Sequence, residues 1–156
     1  MSIVIERVYR ASLQDVWDLW TTKDGFESWW GPDGFRGDVR EIDARPGGVL
    51  RYDMVADSAE MIAAMEGSGQ PISHGVSARF SVLEPCTRLV LTSVIDFLPG
   101  VAPFESDIAV TFEPLGDSVR MIVTLSGMHD PAFTEMQKEG FTSQLGKLDR
   151  RFGWTG

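Results

Sequence analysis

Reactive chemistry in this 156-residue chain would have to come from two histidines, one cysteine and a scatter of carboxylates. His74 and His129 lie far apart, and no His-x-x-x-His pair or cysteine cluster accompanies them, so no metal site is expected. A nucleophile elbow of the Gly-x-Ser-x-Gly kind is missing: Gly67-Ser68-Gly69 has the wrong spacing and follows a helical stretch. Neither a phosphate-binding Gly-x-x-x-x-Gly-Lys loop nor a Gly-x-Gly-x-x-Gly turn after a strand occurs, so no nucleotide or other cofactor is implied. Asp96, Glu105 and Asp107 show no spacing that argues for paired acid/base work. That leaves His74. It alternates in phase with Val76, Ala78, Phe80 and Val82, on the apolar side of a strand, where an imidazole could orient a polar ligand or move a proton near neutral pH. His129 sits beside a helix-capping Asp130 and reads as a loop residue.

The aromatic residues say more than the titratable ones. Trp29 and Trp30 are adjacent, and neighbours on a helix point in different directions. One ring is expected in the core and the other at a cavity or partner surface. Gly31-Pro32 ends any helix directly after them. Trp17 and Trp20, at helical spacing, read as core.

The elements that must position these groups follow from periodicity. Ile3 to Arg10 is a first strand. Ser12 with Asp15 three residues on is a helix start, and Leu13, Val16, Trp17 and Trp20 follow at helical spacing. A second short helix is expected from Lys23 to Trp30. Strands then run over 35–42, 49–56, 73–83, 88–97 and from Ile108 through the Glu113 to Asp117 turn to Leu125. Leu50, Tyr52 and Met54 share one face and Arg51 and Asp53 the other; Leu89, Leu91, Ile95 and Phe97 share a face. Arg51 and Arg79 fall on the outer side, where salt bridges are expected. Such one-sided alternation predicts an antiparallel sheet with one covered face. The cover is a long helix that Asp130 caps and Pro131 opens. Along it Phe133, Met136, Gly140, Leu145, Leu148 and Phe152 form an apolar stripe. Gly140 suits a place where another backbone or a ligand approaches closely. Between two strands, 57–71 forms an insert with a helix rich in methionine, readable as a lid over an apolar opening or as a helix packed on the sheet edge.

Composition bounds the partners. A net charge of −9 with a pI near 4.6 disfavours nucleic acid and anionic membrane surfaces. A single cysteine fits a reducing compartment. The first residues lack the basic start and apolar run of a signal peptide, and no apolar run approaches the roughly 20 residues of a spanning helix. A single cytoplasmic domain over 1–156, without membrane insertion, is expected.

These elements, in this order, resemble the START-like superfamily, also called birch-pollen-allergen-like or helix-grip. Within it the chain is similar to homologues of the activator of the 90-kDa heat-shock protein ATPase. The resemblance rests on Arg7, Ala11, Val16-Trp17, Trp20-Thr21, Trp29-Trp30-Gly31-Pro32, Arg45-Pro46-Gly47-Gly48, Glu84-Pro85 with Arg88-Leu89-Val90, and Gly140-Phe141. It implies an α+β helix-grip fold: a curved antiparallel sheet wrapped around a long C-terminal helix, with two short helices after the first strand. It also implies an apolar cavity between sheet and helix. The expected lining is Trp29, Trp30, Tyr52, Met54, Phe80, Phe97, Phe133, Met136, Gly140 and Phe141, with His74 as a polar anchor. Binding of a small apolar ligand is the leading expectation. An enzyme of cyclase or hydrolase type using His74 is the alternative, and contact with the chaperone a third; the separate N-terminal domain of the namesake co-chaperones is not seen in this sequence. Homodimerisation through the insert or an exposed sheet edge stays open.

Overall fold

The computed structural model describes residues 2–95, 100, 102–126 and 130–154. β1 (Ile3–Tyr9) leads into α1 (Leu13–Thr21), whose start is fixed by the Ser12 hydroxyl accepting the Asp15 N–H at 3.0 Å. Thr22 caps α2 (Lys23–Glu27) in the same way, through Gly25 N–H at 3.0 Å. α2 stops short of the expected Trp30. The Ser28 N–H is shared between the Asp24 and Gly25 carbonyls, and Gly31 at φ 100° turns the chain toward the sheet.

The strands are β2 (Phe35–Ile42), β3 (Val49–Ala56), β4 (Ser73–Glu84), β5 (Arg88–Ile95), β6 (Phe104–Leu115) and β7 (Ser118–Leu125). They form one seven-stranded sheet in the order β1-β7-β6-β5-β4-β3-β2, with every neighbour antiparallel. The sheet curls into a half-barrel around α4 (Pro131–Phe152), which Asp130 caps by accepting the Phe133 N–H at 2.9 Å. α3 (Ala59–Gly67) fills the insert between β3 and β4. Among the described residues no helix is long and apolar enough to cross a membrane.

The inner face carries Leu50 and Tyr52 on β3, Val110 and Phe112 on β6, and Val119, Met121, Val123 and Leu125 on β7, all buried as their alternation predicts. β4 departs from it. The pairing slips between Phe80 and Val82, so Phe80 faces Leu91 and Val82 faces Val90. Leu83, not Val82, rejoins the core. A bulge adds one residue to one strand and so exchanges its faces beyond that point.

The outer face is polar. Arg51 pairs with Glu41 at 3.3 Å and Arg79 with Glu105 at 2.8 Å, both well exposed, so each adds little stability. Glu105 and Asp107 lie within β6, not before it. Thr92, buried on this face, donates to Asp107 at 2.7 Å and receives the Ser81 hydroxyl at 2.8 Å. One more tie closes the inner side: Arg7 of β1 reaches Asp149 of α4 at 3.1 Å, and its guanidinium lies 4.1 Å from the Trp154 ring centre.

Candidate functional site

The connectivity puts the end of β3, the start of β4, the start of β6, the insert helix α3 and the first half of α4 at one end of the half-barrel. Burial is uneven toward that end, with Ala56 on β3, Ser106 on β6, Leu125 on β7 and Thr134 on α4 still buried there. On β3 Leu50 and Tyr52 are buried, Met54 is half-buried and Ala56 is buried again; on β4 burial falls from Phe80 and Ala78 to a half-buried Val76 and an exposed His74. On β6 Val110 is buried and Ile108 half-buried. On α4 Leu148, Leu145 and Phe141 are buried, Gly140, Gln137 and Phe133 half-buried, and Met136 is 63% exposed. Met136 therefore stands off the buried stripe that its spacing predicts. Thr134 and Gln144 occupy that stripe instead.

The tryptophan pair closes the filled end. Both rings are buried, so the expected division into one core and one surface ring does not appear as a difference in exposure. It appears in hydrogen bonding. The Trp29 indole N–H donates to the Leu19 carbonyl at 2.9 Å. That carbonyl is among the last four of α1, which have no partner within the helix. The Trp30 N–H is buried and has no hydrogen-bond partner. Its ring stacks on Phe26 at 4.4 Å and meets Tyr52 and Phe141 edge-on at 5.9 and 6.0 Å. Gly37 of β2 lets it approach the strand: a Cβ there would stand 3.2 Å from Trp30 Cδ1.

Three further buried polar atoms lack hydrogen-bond partners among the described residues: Arg120 Nε, which forms an ion pair with Glu6, Gln137 Oε1 and Gln144 Nε2. Gln144 is oriented by its other atom, because Oε1 accepts the Gly31 N–H at 3.0 Å. Phe133, Gln137, Gly140 and Gln144 share one stripe of α4 by their three- and four-residue spacing. A Cβ on Gly140 would meet nothing within 4 Å. Of the two expected reasons for this glycine, close approach of another backbone or of a ligand, the first is not found there.

Electrostatics around the stripe are weak. Burial pushes the Tyr52 hydroxyl up to about 12. The Trp30 N–H is near enough to hold back part of that rise, though the two groups fall short of hydrogen-bond geometry. Lys147 donates to the Phe35 carbonyl at 3.0 Å, and desolvation lowers its pKa against the pull of Asp57 and Asp33.

Of the expected site residues, Trp29, Trp30, Tyr52 and Phe141 come together with Phe26 and Trp20 in one aromatic cluster. Met54 and His74 are direct partners across the β3–β4 ladder. Phe97 and His129 lie outside the described residues, as does Asp96. Gln137 and Gln144 escaped sequence reading, because polar residues on a helix read as its solvated side. The insert helix has no buried residue; its Met61 and its cap Ser58 lie against Gly34, with Met61 Cε 3.3 Å and Ser58 Oγ 3.5 Å from where a Cβ would stand. A separate groove of about 430 Å³ opens between α1, α2 and the end of α4, beside Asp15, Asp18, Asp24 and Phe152; it touches none of the expected lining. No group of three His, Cys, Asp or Glu residues among the described residues could hold a metal ion.

A curled antiparallel sheet gripping a long C-terminal helix defines an α+β protein of the helix-grip class. The model of the family described as Activator of Hsp90 ATPase homolog 1-like protein matches residues 10–153, and the chain belongs to that family. Among solved structures, a protein from Chromobacterium violaceum is similar at 25% identity and a TM-score of 0.78, over 97% of this chain and 96% of that one. The AHSA1 protein from Silicibacter pomeroyi is similar at 21% identity and 0.74, over 98% of each chain. A protein from Arthrobacter aurescens gives 20% and 0.74, over 99% and 87%. At those identities the last two support the fold alone. Comparison with curated proteins gives no match.

Proposed function

We propose that this protein binds a small, largely apolar ligand in a cleft between the sheet and the first half of α4. The reading is carried by the decline in burial along β4 toward one end of the half-barrel and by the half-buried apolar side chains Met54, Val76, Ile108 and Phe133 gathered at that end. Apolar inner-face side chains that stay half-exposed in an otherwise filled core leave favourable burial unmade, on the order of 25 cal/mol per Å². A ligand that covers Met54, Val76, Ile108 and Phe133 gains it. Trp30, Tyr52 and Phe141 form the floor, and α3 with its half-buried Met61, Ile62 and Met65 flanks the mouth as a lid. His74 stands at the rim. The family is often a ligand-binding one, which agrees with this reading.

Tryptophan fluorescence and thermal shift against lipids, aromatics and polyketide-like molecules test the proposal. At least one class is expected to raise the melting temperature and change the emission. No response in any class removes the cleft as a binding site.

A further inference from the structure

The sheet ends on β2 at one edge and on β1 at the other, and the chain closes the two edges unequally. On β2 the Glu27 carboxylate accepts the Val39 N–H at 2.8 Å, Lys147 donates to the Phe35 carbonyl at 3.0 Å, and the Phe35 N–H donates to the Pro32 carbonyl. Those contacts occupy the groups that another strand would use. On β1 the outward groups follow from the ladder. The Ser126 N–H donates to the Asp107 carbonyl, so even-numbered residues of β7 turn to β6 and odd-numbered ones to β1, where they face Ile3, Ile5, Arg7 and Tyr9. The N–H and C=O groups of Val4, Glu6 and Val8 therefore point away from the sheet. Among the described residues they receive one bond, from Arg7 Nη1 to the Glu6 carbonyl at 3.0 Å. The side chains beside this edge are also open: Val4 is 66% and Val8 37% exposed.

We propose that the β1 edge pairs with β1 of a second copy of this chain, antiparallel about a two-fold axis at Val8, as a weak dimer. The strand is self-complementary in that register. Val8 faces Val8 of the partner subunit and exchanges both backbone bonds with it. Glu6 faces the partner's Arg10, and Arg10 the partner's Glu6, so two ion pairs flank the axis. Within one chain the two residues lie roughly 13 Å apart along the strand and do not meet. Each now holds only an exposed pair, Glu6 with Arg120 at 3.0 Å and Arg10 with Asp117 at 3.2 Å, and such pairs are cheaply shared. An axis at Glu6 opposes two glutamates, which is destabilising across strands. An axis at Arg7 opposes Glu6 to the partner's Val8 and leaves the charges unmatched. The contact is small, which makes the dimer a weak one.

Sedimentation equilibrium on the wild-type protein tests this, from about 1 to 500 µM in about 0.15 M salt, where charges more than about 8 Å apart are screened despite the net charge of −9. A monomer–dimer equilibrium that depends on concentration is expected. Val8→Lys, with its fold checked by melting temperature, should weaken the dimer by about ten-fold or more. Glu6→Arg and Arg10→Glu should each weaken it, and the double variant should recover to within about three-fold of the wild type. If Val8→Lys does not fold, the charge exchange decides alone. Monomer at every concentration overturns the proposal. A dimer of unchanged affinity in Val8→Lys and in both single charge variants overturns it too, because the interface then lies elsewhere, as does a double variant that fails to recover.

Discussion

Arg7 on the first strand and Asp149 near the end of α4 approach to 3.1 Å with both side chains mostly buried. The Tyr9 hydroxyl donates to the same carboxylate oxygen at 2.6 Å. One acid on the closing helix therefore holds the edge strand of the sheet through two neighbours on its inner face. This joint lies at the filled end of the half-barrel, where Tyr9 and Leu148 are fully buried.

Removing the acid should loosen that end. Asp149→Ala leaves a guanidinium and a hydroxyl mostly out of water, and a loss of about 2–4 kcal/mol is expected in urea unfolding. Asp149→Asn, which keeps an acceptor for Tyr9, should cost less. A double-mutant cycle with Arg7→Ala should give a coupling above about 1 kcal/mol; additive effects would show that the pair is incidental.

The tryptophan pair predicts unequal costs for equal substitutions. Trp29→Phe removes the donor that satisfies the Leu19 carbonyl of α1, whereas Trp30→Phe removes an N–H that has no partner. Both lose similar ring area, so Trp29→Phe should destabilise more, by roughly 1 kcal/mol. Equal midpoints in chemical denaturation would contradict the hydrogen-bond assignment.

Alkaline pH should weaken the fold through Tyr52. Burial raises its pKa from 10.0 to about 12, so the folded state holds the proton more tightly than the unfolded one. The contribution is complete below pH 10 and is lost as pH rises toward 12, amounting to about 2–3 kcal/mol. Tyr9 is raised in the same direction, by burial first and then by its bond to Asp149, and adds a loss above pH 10. Unfolding midpoints of the wild type and Tyr52→Phe at pH 8, 10 and 11.5 check this: the variant should show the shallower decline.

Gly140 sets stability against binding. In mid-helix it costs about 1 kcal/mol relative to alanine, and nothing in the protein crowds a Cβ there. Gly140→Ala should stabilise the ligand-free protein by about that amount and weaken any ligand seated on the α4 stripe. Calorimetry on both proteins checks the two effects separately.

How far the sequence carried differs between fold and site. The alternation of β3, β6 and β7, the Ser12 cap and the Asp130-Pro131 start all reappear, because each is a local signal with its own physical cause. The bulge near Ser81 is not legible, since Val82 and Leu83 are both apolar and either could be inward. Nor is the joint from Arg7 to Asp149, which spans nearly the whole chain and gives no short-range pattern. The site suffered from the same rule that found the fold: Gln137 and Gln144 are polar, so periodicity assigns them to water, whereas Gln144 is buried with its amide facing Gly31. Met136 is apolar, so periodicity buries it, yet it stands at the open end.

The cleft itself is tested most directly by filling it. Gly140→Trp places a large ring in the open space beside the α4 stripe, and circular dichroism establishes that the variant keeps the fold. Titrated by calorimetry with the ligand class that stabilises the wild type, the folded variant should lose binding by at least ten-fold. Unchanged affinity in a folded Gly140→Trp protein would place the ligand elsewhere and contradict the account.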